Sequence, residues 1–143
     1  MDGRSLGEGQ IGTRDSCYAA YFAEIVDYYC RENNDERDMM KLFYQSLCAI
    51  TYEGLNNRVV RSVFEIKSIM INGEYPGIPA NTSFSETALY TLDYISKNAP
   101  EKVFTFNLAE EVLEEIERFS RKLCKDTMDH KFKSLEILET MLK

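Results

Sequence analysis

Apolar residues return every three or four positions over six stretches of the chain, separated by polar intervals or by intervals bearing glycine and proline. That period matches one face of an α-helix and not the alternation of a half-buried strand. Tyr18, Tyr21, Phe22, Ile25, Val26 and Tyr29 predict a first helix over about 16–31, opened by Asp15 or Ser16 and closed by the polar run 32–35. A second helix, about 36–52, turns Met39, Met40, Phe43, Leu47 and Ile50 inward and stops at Gly54, read as a left-handed residue. The short connection implies antiparallel packing of these two. The third, about 57–72, carries Val59, Val60, Val63, Phe64, Ile66, Ile69 and Met70 around more than half its circumference, as a central helix does.

Gly73, Pro76, Gly77 and Pro79 make 72–82 a loop. Ser85 opens a fourth helix with Glu86 in its first turn and Leu89, Leu92 and Ile95 along its buried edge. The connector 97–108 holds Pro100 and a Val103-Phe104-Thr105-Phe106 run too short for an independent sheet. A fifth helix starts at Asn107 or Leu108 with Val112, Leu113, Ile116, Phe119, Leu123 and Cys124 as its stripe. A sixth, about 130–142, carries Phe132, Leu135, Ile137, Leu138 and Met141. The expectation is an all-α protein: a single-domain bundle of about six helices with short connections over 15–143. Residues 1–14 read as a disordered or stub lead-in without hydrophobic period.

Composition supports one core. The chain has 143 residues, 44% of them hydrophobic, which suits one domain better than two. A formal charge of -7 opposes non-specific attraction to polyphosphate. No apolar run is long enough to span a bilayer, and the opening segment lacks the form of an export signal, so a soluble cytoplasmic protein is expected.

Candidate chemistry is sparse. Cys17, Cys30, Cys48 and Cys124 are scattered singly within apolar segments, with one histidine, His130, in the chain; this is not zinc-ligand spacing, and buried, reduced thiols are expected. His130 reads as an exposed or capping residue at a polar helix boundary. Glu111 and Glu115 share a helix face within the cluster Glu110, Glu111, Glu114, Glu115 and Glu117, but no Glu-x-x-His accompanies them. With Arg118, Arg121 and Lys122 following, a solvated charged face accounts for them better than a metal-dependent hydrolase. No glycine-rich phosphate loop occurs. Tyr18, Tyr21 and Tyr29 sit at core-stripe positions rather than on a base-stacking platform. The chain is expected to have no catalytic residues, cofactor or metal.

Helix three is the exception, because Asn57, Arg58, Arg61 and Lys67 lie among its apolar residues. Cations beside a hydrophobic groove suit a peptide with acidic residues and an apolar end. Arg58, Arg61, Phe64 and Lys67 are therefore the candidate partner-binding residues. Intramolecular pairing with Glu53, Glu65 or the aspartates of the first helix is the alternative.

Four short segments in order, Tyr18-Ala19-Ala20-Tyr21-Phe22-Ala23-Glu24-Ile25-Val26-Asp27, Phe64-Glu65-Ile66-Lys67, Asn72-Gly73-Glu74-Tyr75-Pro76 and Lys133-Ser134-Leu135, resemble the C-terminal helical region of the bacterial recombination mediator RecO. The resemblance spans about 15–143. It implies a non-enzymatic role in DNA repair and homologous recombination: binding the acidic, phenylalanine-ended tail of the single-stranded-DNA-binding protein, associating with RecR and helping RecA to load. It also places the tail on the helical region. The chain departs from the pattern twice. Pro76-Gly77-Ile78-Pro79 runs almost directly to Phe84-Ser85 with no cysteine between, so the zinc module of many relatives is absent. No strand-rich OB-fold precedes the first helix, so single-stranded DNA is expected to bind weakly or through a missing N-terminal domain. The alternative is a helical protein-protein adaptor without a repair role.

Overall fold

The computed structural model describes residues 12–30, 36–128 and 132–142. Within them, six α-helices follow one another: α1 Thr13–Cys30, α2 Glu36–Thr51, α3 Asn57–Ile71, α4 Glu86–Lys97, α5 Glu110–Thr127 and α6 Lys133–Leu142, with one 3-10 turn at Pro100–Lys102 before α5. No strand occurs among the described residues, so the all-α bundle read from the periodicity is what forms. Residues 1–11 and His130 lie outside the described residues.

The centre is α3. Every residue from Val59 to Ile69 is buried, because α1, α2, α4 and α5 all pack against this helix. Asn56 caps its start by accepting from the Arg58 N–H at 2.9 Å. Its end is a left-handed stop: Gly73 has φ +75, its N–H donates to Met70 O at 3.1 Å, and Glu74 N–H donates to Ile69 O at 3.1 Å. This paired closure satisfies the last carbonyls and needs a residue without a Cβ penalty.

Gly54 works differently from the expectation. It is not left-handed; a Cβ there would sit 2.5 Å from the ring of Tyr52, an exposed side chain that would have to shift. Its carbonyl accepts from Asn107 Nδ2 at 2.7 Å, and Asn107 Oδ1 accepts from Asn56 N–H at 2.8 Å. Asn107 is thus spent on clamping the α2–α3 turn, and α5 begins three residues later at Glu110.

The α1 stripe is buried as read, from Tyr18 to Tyr29. Three outer positions depart from expectation: Met40 is 50% exposed, Leu89 39% and Ile137 55%. Each lies one position away from a residue that does face the core, Met39, Ala88 and Leu138, and one residue is a 100° rotation on a helix. Cys48 is exposed rather than buried, while Cys17, Cys30 and Cys124 are half-buried.

Two side chains set the α4–α5 crossing. Ser85 caps α4, its hydroxyl accepting from Ala88 N–H at 3.1 Å. The same residue donates its N–H and hydroxyl to the Glu115 carboxylate at 2.9 and 2.7 Å. These bonds, the backbone one foremost, hold the Glu115 carboxyl below its ordinary range. Ser85→Ala is expected to cost about 1 kcal/mol at pH 7. A depressed carboxyl stabilises above its unfolded pKa and loses that contribution as pH falls through its folded value, so the difference from wild type shrinks below about pH 4. Urea midpoints at pH 7 and pH 3 check both statements.

Candidate partner-binding groove

The four residues singled out on α3 do not form one exposed face. Phe64 is fully buried, stacked on Phe22 with centroids 4.3 Å apart. Lys67 is also buried and turns toward α4, its Nζ donating to Ile95 O at 2.9 Å and Ser96 O at 3.5 Å. There it satisfies the terminal carbonyls of α4, and burial lowers its pKa against the opposing pull of Asp38. The expected groove on α3 is closed over at Phe64 and Lys67 by the helices packed around α3.

Arg58 and Arg61 point the other way, toward α5 and α6. Arg58 clasps Glu117 with two bonds, Nε to Oε2 at 2.9 Å and Nη2 to Oε1 at 2.7 Å, and reaches Glu110 at 3.1 Å. Glu117 is therefore buried and paired rather than part of a solvated face. Bidentate arginine pairing explains why a carboxylate is tolerated there. Arg61 pairs with Glu65, one of the intramolecular partners considered from the sequence.

Around Arg61 lies a buried polar knot. The Glu65 carboxylate accepts from Tyr21 Oη at 2.5 Å, Arg61 Nε at 3.0 Å and Ser120 Oγ at 2.7 Å. The Arg61 guanidinium also stands 5.4 Å from the Tyr21 ring centroid, within cation–π range. Burial works against the Arg61 charge, yet Glu65, Tyr21 and Glu139 outweigh it and its pKa is raised. Tyr21 is pushed well up by burial and then by the Glu65 charge. The nearby Cys124 thiol is raised well up by the same two causes. A tyrosine and a cysteine so shifted stay neutral at pH 7.

The knot forms the floor of an open groove of about 550 Å³ between the C-terminal half of α5 and α6. Its lining carries Arg121 and Lys125 from α5 and the apolar Met128 at the end of α5, Phe132 before α6 and Leu135 on α6. Phe132 is held edge-on to Tyr21 and Tyr28, each 5.9 Å away. Ser134 N–H donates to Glu24 Oε1 at 2.8 Å, which ties the start of α6 to α1. Arg121 reaches Glu117 only at 3.8 Å, a carboxylate already taken by Arg58. Arg61, Arg121 and Lys125 thus line one groove together with Glu65, Glu139 and apolar side chains, cations in excess of carboxylates in a protein of net charge -7. Such a site suits an anionic ligand with an apolar end.

Arg121 and Lys125 escaped the sequence reading as binding residues. Arg121 reads as part of a solvated charge run with Arg118 and Lys122, Lys125 is not singled out, and nothing local says which of these cations line the groove. Among the described residues no group of three or more His, Cys, Asp or Glu side chains is placed to hold a metal ion. None of the described helices is long and apolar enough to cross a membrane.

No protein-family model matches the chain, and no solved structure matches it. Among curated proteins, the chain is similar to the DNA repair protein RecO of Acetivibrio thermocellus, 22% identical over an alignment 156 residues long. That alignment takes in 87% of this chain and 62% of the relative. The chain therefore spans about three-fifths of the length of the curated relative to which it is similar.

Proposed function

We propose that this chain is a non-enzymatic, RecO-like module of DNA repair and recombination that captures an acidic, phenylalanine-ended peptide tail in the groove between α5 and α6. The observation that carries the reading is the meeting of Arg61, Arg121 and Lys125 with the apolar wall of Met128, Phe132 and Leu135. The cations take the carboxylates and the wall takes the ring. The tail of the single-stranded-DNA-binding protein has this chemistry, and the similarity to RecO makes it the ligand of choice. RecR is the second partner and help with RecA loading the outcome, in the cytoplasm at the nucleoid. Of the residues named on α3, Arg61 belongs to the groove, while Arg58, Phe64 and Lys67 hold the helices that build it.

The test is fluorescence anisotropy with a labelled acidic peptide ending in phenylalanine. Arg121→Glu with Lys125→Glu is expected to weaken binding about tenfold or more, since charge-assisted contacts are lost and reversed. Arg118→Glu with Lys122→Glu makes the same change in net charge on the same helix, beside Phe84 and Phe119 instead. That variant is expected to stay within about threefold of wild type. Equal loss in both would reduce the effect to bulk charge and sink the groove. A second reading, a helical adaptor without a repair role, is favoured by the exposed Met40, Tyr44 and Tyr52 on the outer side of α2 and its end. It expects no dependence on a terminal phenylalanine.

A further inference from the structure

We propose that Glu139 is an internal latch on the α5–α6 groove, holding the outward nitrogen of Arg61 until the terminal carboxylate of the ligand displaces it. The proposal rests on the groove reading above and adds its regulation.

The three attachments of Arg61 are unequal. Its Nε is fixed to Glu65 at 3.0 Å, inside a carboxylate that already takes two further donors. Its guanidinium faces the Tyr21 ring. Both contacts are buried and belong to the floor. The third, Nη2 to Glu139 Oε2, is 3.4 Å long and joins a 5% exposed arginine to a 49% exposed glutamate. A bond at that length is weak, and a half-exposed carboxylate regains its hydration when it swings out.

Glu139 stands on α6, next to Leu138, which is the one buried residue within that helix. It lines the same groove as Arg121 and Lys125. As a carboxylate on a cation, it occupies the place that a peptide carboxylate would take. An arriving ligand gains what Glu139 does not have: Arg121 and Lys125 as further cations, and an apolar wall for its last side chain. A weak or isolated anion gains neither. The latch therefore keeps Arg61 closed to ordinary anions and open to one that brings negative charge and an apolar end together. Of the three groups that Arg61 contacts, Glu139 is the half-exposed one, while Glu65 and Tyr21 are buried.

The experiment titrates wild type, Glu139→Gln and Glu136→Gln, each as the full chain, with the phenylalanine-ended acidic peptide carrying either a free terminal carboxylate or a terminal amide. Glu136 is exposed on the same helix and does not line the groove, so it controls for net charge. E139Q is expected to tighten the free-carboxylate peptide about two- to fivefold, the range a half-exposed ion pair commands. It should leave the amide peptide unchanged, and E136Q should leave both unchanged. Wild-type binding with no gain in E139Q over E136Q overturns the latch and leaves the groove reading standing. An equal gain for both peptides overturns displacement by the terminal carboxylate. No binding by wild type or E139Q overturns the groove reading and the latch with it.

Discussion

Glu65→Ala is expected to lower the unfolding free energy by about 3–5 kcal/mol, the cost of removing one partner from a buried ion pair. Glu65 is 2% exposed and Arg61 5%, so the guanidinium left behind cannot turn to water without disturbing α6. Tyr21 Oη and Ser120 Oγ lose their acceptor at the same stroke, and stranded buried donors carry their own desolvation penalty. A single domain is stable by about 5–15 kcal/mol in all, so this one change removes a large part of it. Replacing the set together, Tyr21→Phe, Arg61→Met and Glu65→Leu, is expected to recover most of the loss, because the cost comes from widowed partners rather than from a strong pair. Urea unfolding at pH 7 followed by circular dichroism measures both. A loss below about 1 kcal/mol for E65A would mean that water reaches the knot and that the floor of the groove is not the rigid support described above.

Phe64→Ala has a comparable effect by a different route. The ring is fully buried and stacked on Phe22 at 4.3 Å, with its plane tilted by 18°. Truncation loses its transfer free energy and leaves a cavity that the surrounding helices cannot close, at about 3–5 kcal/mol. In a chain of this size that is a drop of roughly 10 °C or more in Tm. Phe119 is an equally regular member of an apolar stripe, yet it is half-buried, edge-on to Tyr75 and Phe84 at 6.3 and 5.4 Å. Phe119→Ala is expected to cost less than half as much, since less area is withdrawn from water and the rim can relax. Equal Tm losses at the two positions would contradict this packing. Phe64→Leu, which keeps most of the volume and costs about 1.5 kcal/mol or less, should bind the acidic peptide as wild type does. A loss of affinity in that folded variant would return Phe64 to the binding face where the sequence reading put it.

The α1 stripe was read residue for residue, because one wide apolar face against one core leaves a single way to turn the helix. The stripes of α2, α4 and α6 were read too wide, each admitting one neighbour that the bundle leaves outside. The cations of α3 were seen as a set because they are unusual in an apolar helix. Their separation, Arg58 and Arg61 toward α5 and α6 and Lys67 toward the end of α4, came from the packing of four helices around α3.

By itself the sequence determined the class and order of the elements. Periodicity, caps and breakers act over a few residues, so Ser85 capped α4 and Gly73 closed α3 wherever those helices came to lie. It also carried the resemblance to RecO, since residue identities in order need no coordinates. The tertiary structure alone decided which charges meet. Glu65 with Ser120 is separated by 55 residues along the chain, Arg58 with Glu117 by 59 and Arg61 with Glu139 by 78. No local pattern encodes a pairing at that separation; it follows from the angle at which helices cross and from the exclusion of water between them. The groove lined by Arg61, Arg121, Lys125, Met128, Phe132 and Leu135 exists for the same reason, as a surface that no single helix carries.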